Sequence, residues 1–135
     1  MRTIRLEDAM SFEPPPLFIN RFCLENNMSE DEARLAFQET KKFIILCATE
    51  REHDYSPSTI IDVMWHQFIL HSRDYFRFCD LIGGYVHHQP SESHKPDRYT
   101  KTLKALKGKF GDINPSYWGE NAAHCGHCTS CSNHS

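Results

Sequence analysis

The chain has 135 residues, of which 39% are hydrophobic and 24% charged, and a formal charge of −3. That suits one domain with an apolar core and excludes a global electrostatic pull on nucleic acid or anionic membrane, so neither is expected as a partner. No apolar run approaches the ~20 residues that cross a bilayer, and the opening MRTIRLEDAMSFEPPP carries acids and prolines where a signal peptide needs an apolar stretch, which points to the cytoplasm.

Residues 1–16 lack periodicity and end in three prolines, so a loosely held arm is expected there. Leu17, Phe18 and Phe22 mark one side of a short helix that stops at Asn26-Asn27. Ser29-Glu30-Asp31-Glu32 is a capping box, and the long helix behind it should run to about Glu50, with Lys41-Lys42 on its wet side. Ser56-Pro57-Ser58 is a second helix start. The apolar residues Ile60, Ile61, Met64, Trp65, Phe68, Ile69, Phe76 and Leu81 that follow are too broadly spread for a surface helix, so this element should lie inside the bundle. No Pro or Gly decides whether it runs unbroken to Leu81 or bends near His71-Ser72.

Gly83-Gly84 ends that element, and residues 89–95 read as a polar loop. A last helix follows from Asp97 to a stop at Gly111, docking through Tyr99, Leu103, Leu106 and Phe110, with its lysines forming a solvated face. Trp118 should pack back on the bundle. The expected architecture is all-α: four to five helices over residues 17–119, followed by an unstructured Cys/His-rich tail over 120–135.

Two constellations carry chemistry. At about 100° per residue, Asp62, His66 and Arg73 share one stripe of the central helix, and the turn at the glycines can bring His87 and His88 back towards it. Two imidazoles and one carboxylate suit zinc with an open position, or iron(II). The competing reading is a structural polar network in which Arg73 pairs with Asp62, with Tyr75 and Trp65 on the packing side. In the tail, Cys125, Cys128 and Cys131 are interleaved with His124 and His127, a soft ligand set for zinc, although a mobile reduced tail is the plainer reading.

The pieces Asp62-x-x-Trp65-His66 and His87-His88-x-Pro90, in order between the capping box and the Tyr99 to Phe110 helix, resemble the glycine-rich domain-containing protein family. The resemblance covers roughly residues 27–118. It implies an all-helical fold and no defined biochemical activity. That family commonly has a second histidine two residues after the Trp-His pair, where this chain has Phe68, and its bacterial members often end in a glycine- and cysteine-rich tail, of which HCGHCTSCSNHS would be a short, glycine-poor version.

The functional expectation is a metal-binding module, with zinc as the metal, or an interaction module for a protein partner. The alternative is a small metal-dependent enzyme using the two-histidine, one-carboxylate set. It is the weaker reading because no second carboxylate has a claim to act as acid or base.

Overall fold

The computed structural model describes residues 5–88 and 96–119. They form α1 (Leu6–Ser11), α2 (Pro16–Asn26), α3 (Glu30–Thr49), α4 (Thr59–Leu70), α5 (Ser72–Leu81) and α6 (Pro96–Phe110), and no strand occurs among the described residues. The fold is all-α. It has one or two helices more than expected, because the supposed arm contains α1 and the long central element is divided into α4 and α5. The tail 120–135 and the loop 89–95 lie outside the described residues.

Local signals place several helix ends. Ser29 Oγ accepts from Glu32 N at 3.1 Å while Glu32 Oε1 accepts from Ser29 N at 2.9 Å, so both halves of the capping box at α3 are made. Ser58 caps α4 by accepting from Ile61 N. Asn27 closes α2 in the left-handed region at φ 53°, which asparagine tolerates better than most residues. The α4–α5 break has no such signal. His71 leaves helical geometry at φ −88°, ψ 67°, and its ring lies edge-on against Phe18 of α2, 5.3 Å between centroids. This tertiary contact lies at the break.

α3 packs against α1, α2, α4 and α6, and α4 against α2, α3 and α5. Phe68 of α4 lies at the meeting point of these layers, fully buried, with the rings of Phe12, Phe18, Phe37, Tyr75 and Phe78 between 5.1 and 6.1 Å away. Two buried charges on α3 fasten α1 and the segment after α6 to the bundle. Glu39, 5% exposed, accepts from Trp118 Nε1 at 3.1 Å, from Asn114 N at 3.2 Å and from Lys42 Nζ at 3.0 Å, fastening the segment after α6.

Lys41 was expected on the wet side and is instead 1% exposed. Its Nζ donates to the carbonyls of Met10 at 2.5 Å and Phe12 at 2.8 Å, where α1 ends, so a cation meets the negative end of that short helix. Arg5 N also donates to Leu81 O, fixing the other end of α1 to α5. The segment expected as a loose arm therefore holds a docked helix. A single Lys in a run of polar residues gives no sequence hint of a carbonyl cradle contributed from 29 and 31 residues upstream.

Burial lowers the Lys41 amine from its ordinary 10.5 to about 8, partly opposed by Glu13. Between those values the unfolded chain still holds the proton and the folded one has released it, so rising pH favours the folded state. The melting temperature of wild type relative to Lys41→Met should therefore climb from pH 7.5 to 9.5. Tyrosine and cysteine ionisations are common to both proteins and cancel in the difference. A flat difference would mean that the amine is not desolvated.

Candidate functional site

The site is built on the segment that follows α5. Gly83 at φ 96° and Gly84 at φ 139° turn the chain through backbone conformations that L side chains rarely adopt. The extended residues beyond are then fixed from two sides. Arg51, just past α3, donates from Nη1 to Tyr85 O at 2.9 Å and from Nη2 to Gly84 O at 3.1 Å. From the core, Trp65 Nε1 donates to the Tyr75 hydroxyl at 3.0 Å, and that hydroxyl donates to Val86 O at 2.5 Å. Burial pushes the Tyr75 phenol far above its usual range, so it stays a donor throughout accessible pH.

Tyr75 and Trp65 thus form a polar relay inside the apolar core, and its end point sets where residues 86–88 lie. His88 is carried back over α4, where its Nε2 donates to Asp62 Oδ1 at 2.6 Å. Its ring is edge-on to Trp65, 4.5 Å between centroids, and 5.8 Å from the ring of His66. The side chain of His88 is 14% exposed and that of Asp62 49%, so the couple lies at the surface on an aromatic base. The other expected members are placed differently. His87 turns outward against Tyr85 at 4.6 Å.

Arg73, expected on the stripe with Asp62, is exposed, and its side chain makes no hydrogen bond or ion pair with a described residue. The break at His71 changes the helical phase, so the 20° offset of an unbroken helix does not apply. Arg51 was missed by sequence reasoning. It reads as one of three charged residues in a loop, and only the glycine turn folded against it gives it carbonyls to hold.

No group of three His, Cys, Asp or Glu side chains is arranged around a common point among the described residues. Asp62 and His88 satisfy one another, and His87 faces away. Of the expected set, Asp62, His66 and His88 are brought to one surface and His87 is not. The tail candidates His124, Cys125, His127, Cys128 and Cys131 lie outside the described residues. Cys23, Cys47 and Cys79 are free thiols, and burial pushes Cys47 up to about 12, which makes it an inert packing residue.

No helix among the described residues is long and apolar enough to cross a membrane. No curated protein and no solved structure matches the chain. A protein-family model does match, over residues 9–111, and it overturns the resemblance drawn from the Trp-His and His-His motifs. At the position where that family commonly has its second histidine, this chain has Phe68, a fully buried aromatic ring of the core. The chain belongs to the UCP032817-like family, an uncharacterised family, and not to the glycine-rich domain-containing proteins.

Proposed function

We propose that this domain is an interaction module whose recognition face is the surface around Asp62, His66 and His88, and that it takes up zinc there together with ligands supplied from outside the helical bundle. The observation that carries this reading is the 2.6 Å contact between His88 Nε2 and Asp62 Oδ1. A carboxylate that accepts from one imidazole nitrogen fixes the tautomer and leaves the other nitrogen, Nδ1, as an oriented lone pair, which is the usual outer-shell support of a metal-binding histidine.

The 5.8 Å separation of the His66 and His88 rings supports a shared ion, because two imidazoles on one tetrahedral zinc, with Zn–N of ~2.0–2.1 Å, place their centroids roughly 5 Å apart. Two protein ligands make half a site. The missing ones would come from a partner protein or from His124, Cys125, His127, Cys128 and Cys131, and zinc would then join two surfaces. The free thiols Cys23, Cys47 and Cys79 suit the reducing cytoplasm as its location.

The enzyme alternative is less well supported, since Asp62 is engaged by His88. A cavity of about 750 Å³ lies elsewhere, between the α1–α2 connection and α3.

Equilibrium dialysis of the full chain against zinc tests the proposal. His66→Ala and His88→Ala should each abolish binding at the bundle. Asp62→Asn should weaken it ~10–100-fold, as loss of an outer-shell carboxylate does elsewhere. Replacing Cys125, Cys128 and Cys131 together by Ser separates the contribution of the tail. Unchanged zinc uptake in both histidine variants would overturn the reading.

A further inference from the structure

Lys41 and the cavity beside it play no part in the Asp62–His88 surface. The cavity of about 750 Å³ is large enough for a small ligand, and Lys41 is among its lining residues, with apolar wall from Met10, Pro14 and Phe37. Its charged groups are Glu13, Asp31 and Arg34 besides Lys41 itself, two of each sign. Arg34 is already engaged, 3.0 Å from Glu30 and 4.0 Å from Glu13. Such a wall has no surplus positive charge to recruit an anion and suits an uncharged guest with an apolar body.

The amine is held by two acceptors, the carbonyls of Met10 and Phe12. A neutral amine has two N–H bonds and one lone pair, so in that form both donors are taken and the lone pair remains available as a nucleophile. Lys41 forms no ion pair with a described carboxylate. We propose that Lys41 is a nucleophilic amine that captures small neutral aldehydes or ketones in this cavity as an imine. The nitrogen lone pair adds to the carbonyl carbon and the oxygen takes up a proton to give a carbinolamine. Loss of water then leaves the C=N bond, so amine and carbonyl compound give imine and one water. Glu13, lining the same cavity, is the nearby carboxyl group to carry the proton between nitrogen and the departing oxygen.

Desolvation supports this chemistry by bringing the amine to about 8, as acid-base and Schiff-base lysines require. Only 1% of Lys41 is exposed, cavity surface included, so a carbonyl compound entering the cavity must displace part of its wall to reach the amine. An iminium keeps one N–H and therefore releases one of the two carbonyls, so capture is coupled to the fastening of α1.

The experiment uses folded full-length protein, butanal as probe and sodium cyanoborohydride, which delivers hydride to the imine carbon and fixes the adduct as a secondary amine for peptide mapping. At pH 7.5 Lys41 should be modified on the order of tenfold faster than Lys101, Lys104, Lys107 or Lys109, because its excess of neutral amine outweighs its lower basicity. The rate at Lys41 should level off above pH 8, while that of the surface lysines keeps rising. Glu13→Gln should slow capture at Lys41 alone. Unfolding in urea should erase the preference. Modification of the surface lysines with Lys41 left untouched, or a preference that survives in urea, would overturn the proposal. Lys41→Arg should lose the adduct while retaining a cation for the two carbonyls, and if that variant does not fold, the wild-type map decides.

Discussion

Phe68→Ala should cost the domain ~3–5 kcal/mol, the largest loss expected from any single truncation in this fold. The ring is fully buried and meets five other aromatic rings contributed by the α1–α2 connection, α2, α3 and α5, so no one neighbour can relax into the space it leaves. Truncation removes the transfer energy of the ring and leaves a cavity lined by stiff side chains, and the second contribution is large where collapse is blocked. Against a typical total of ~5–15 kcal/mol, such a change takes a marginal domain close to unfolding. Urea denaturation gives the answer directly. A shift below about 1.5 kcal/mol, the range of well-tolerated core swaps, would mean that the layers around α4 are not packed as described. Phe68→Leu, which keeps much of the volume, should cost less. Phe68→His should not gain a metal ligand and should destabilise, because the imidazole would be buried among rings without an evident acceptor.

The second large effect is expected at Glu39. Its carboxylate receives Trp118 Nε1, Asn114 N and Lys42 Nζ, and Lys42 reaches on to Asp112 O at 3.0 Å. Glu39→Ala strands two N–H donors and leaves the Lys42 ammonium, only 17% exposed, without its counter-charge. Breaking a buried pair from one side typically costs ~3–5 kcal/mol, more than the pair contributes in place of an apolar substitute. About 3 kcal/mol is expected here, since Lys42 keeps Asp112 O and some water. Glu39→Gln should lose less, because its amide oxygen still accepts from Trp118 or Asn114. Hydrogen exchange at the Asn114 amide separates this from a general loss of stability: it should accelerate in Glu39→Ala beyond the change at the amides of α3. Equal acceleration everywhere would show that the carboxylate does not fasten the segment after α6.

How much of this was legible in the sequence follows from how far apart the cooperating residues lie. The capping box at Ser29 and Glu32 and the Ser58 cap were readable because cap and helix are neighbours, and the all-α class followed from 3.6-residue periodicity. The division at His71 was left open because neither Pro nor Gly is present, and Phe18, the ring against which His71 packs, is 53 residues upstream. Lys41 and Arg51 both looked like solvated charges, since their partners lie 29 to 34 residues away. In the candidate site, the chain reversal at Gly83-Gly84 and the return of a histidine, His87 or His88, towards Asp62 could be anticipated from glycine chemistry and helical spacing. Which histidine arrives could not. That choice is made by Tyr75 and Arg51 gripping the backbone of residues 84–86, which turns His88 inward and His87 outward.

The aromatic base under His88 also gives the molecule an optical reporter of its own. Trp65 touches the His88 ring and Phe43, and Trp118 touches Phe43 from another direction at 5.9 Å but lies in the grip of Glu39. Indole emission responds to the group in contact with the ring, so a change in what His88 carries should alter the light from Trp65 while Trp118 serves as an internal reference. Occupancy of the surface can thus be followed without a label, and Trp118→Phe leaves Trp65 as the one indole, whose emission belongs to the site alone.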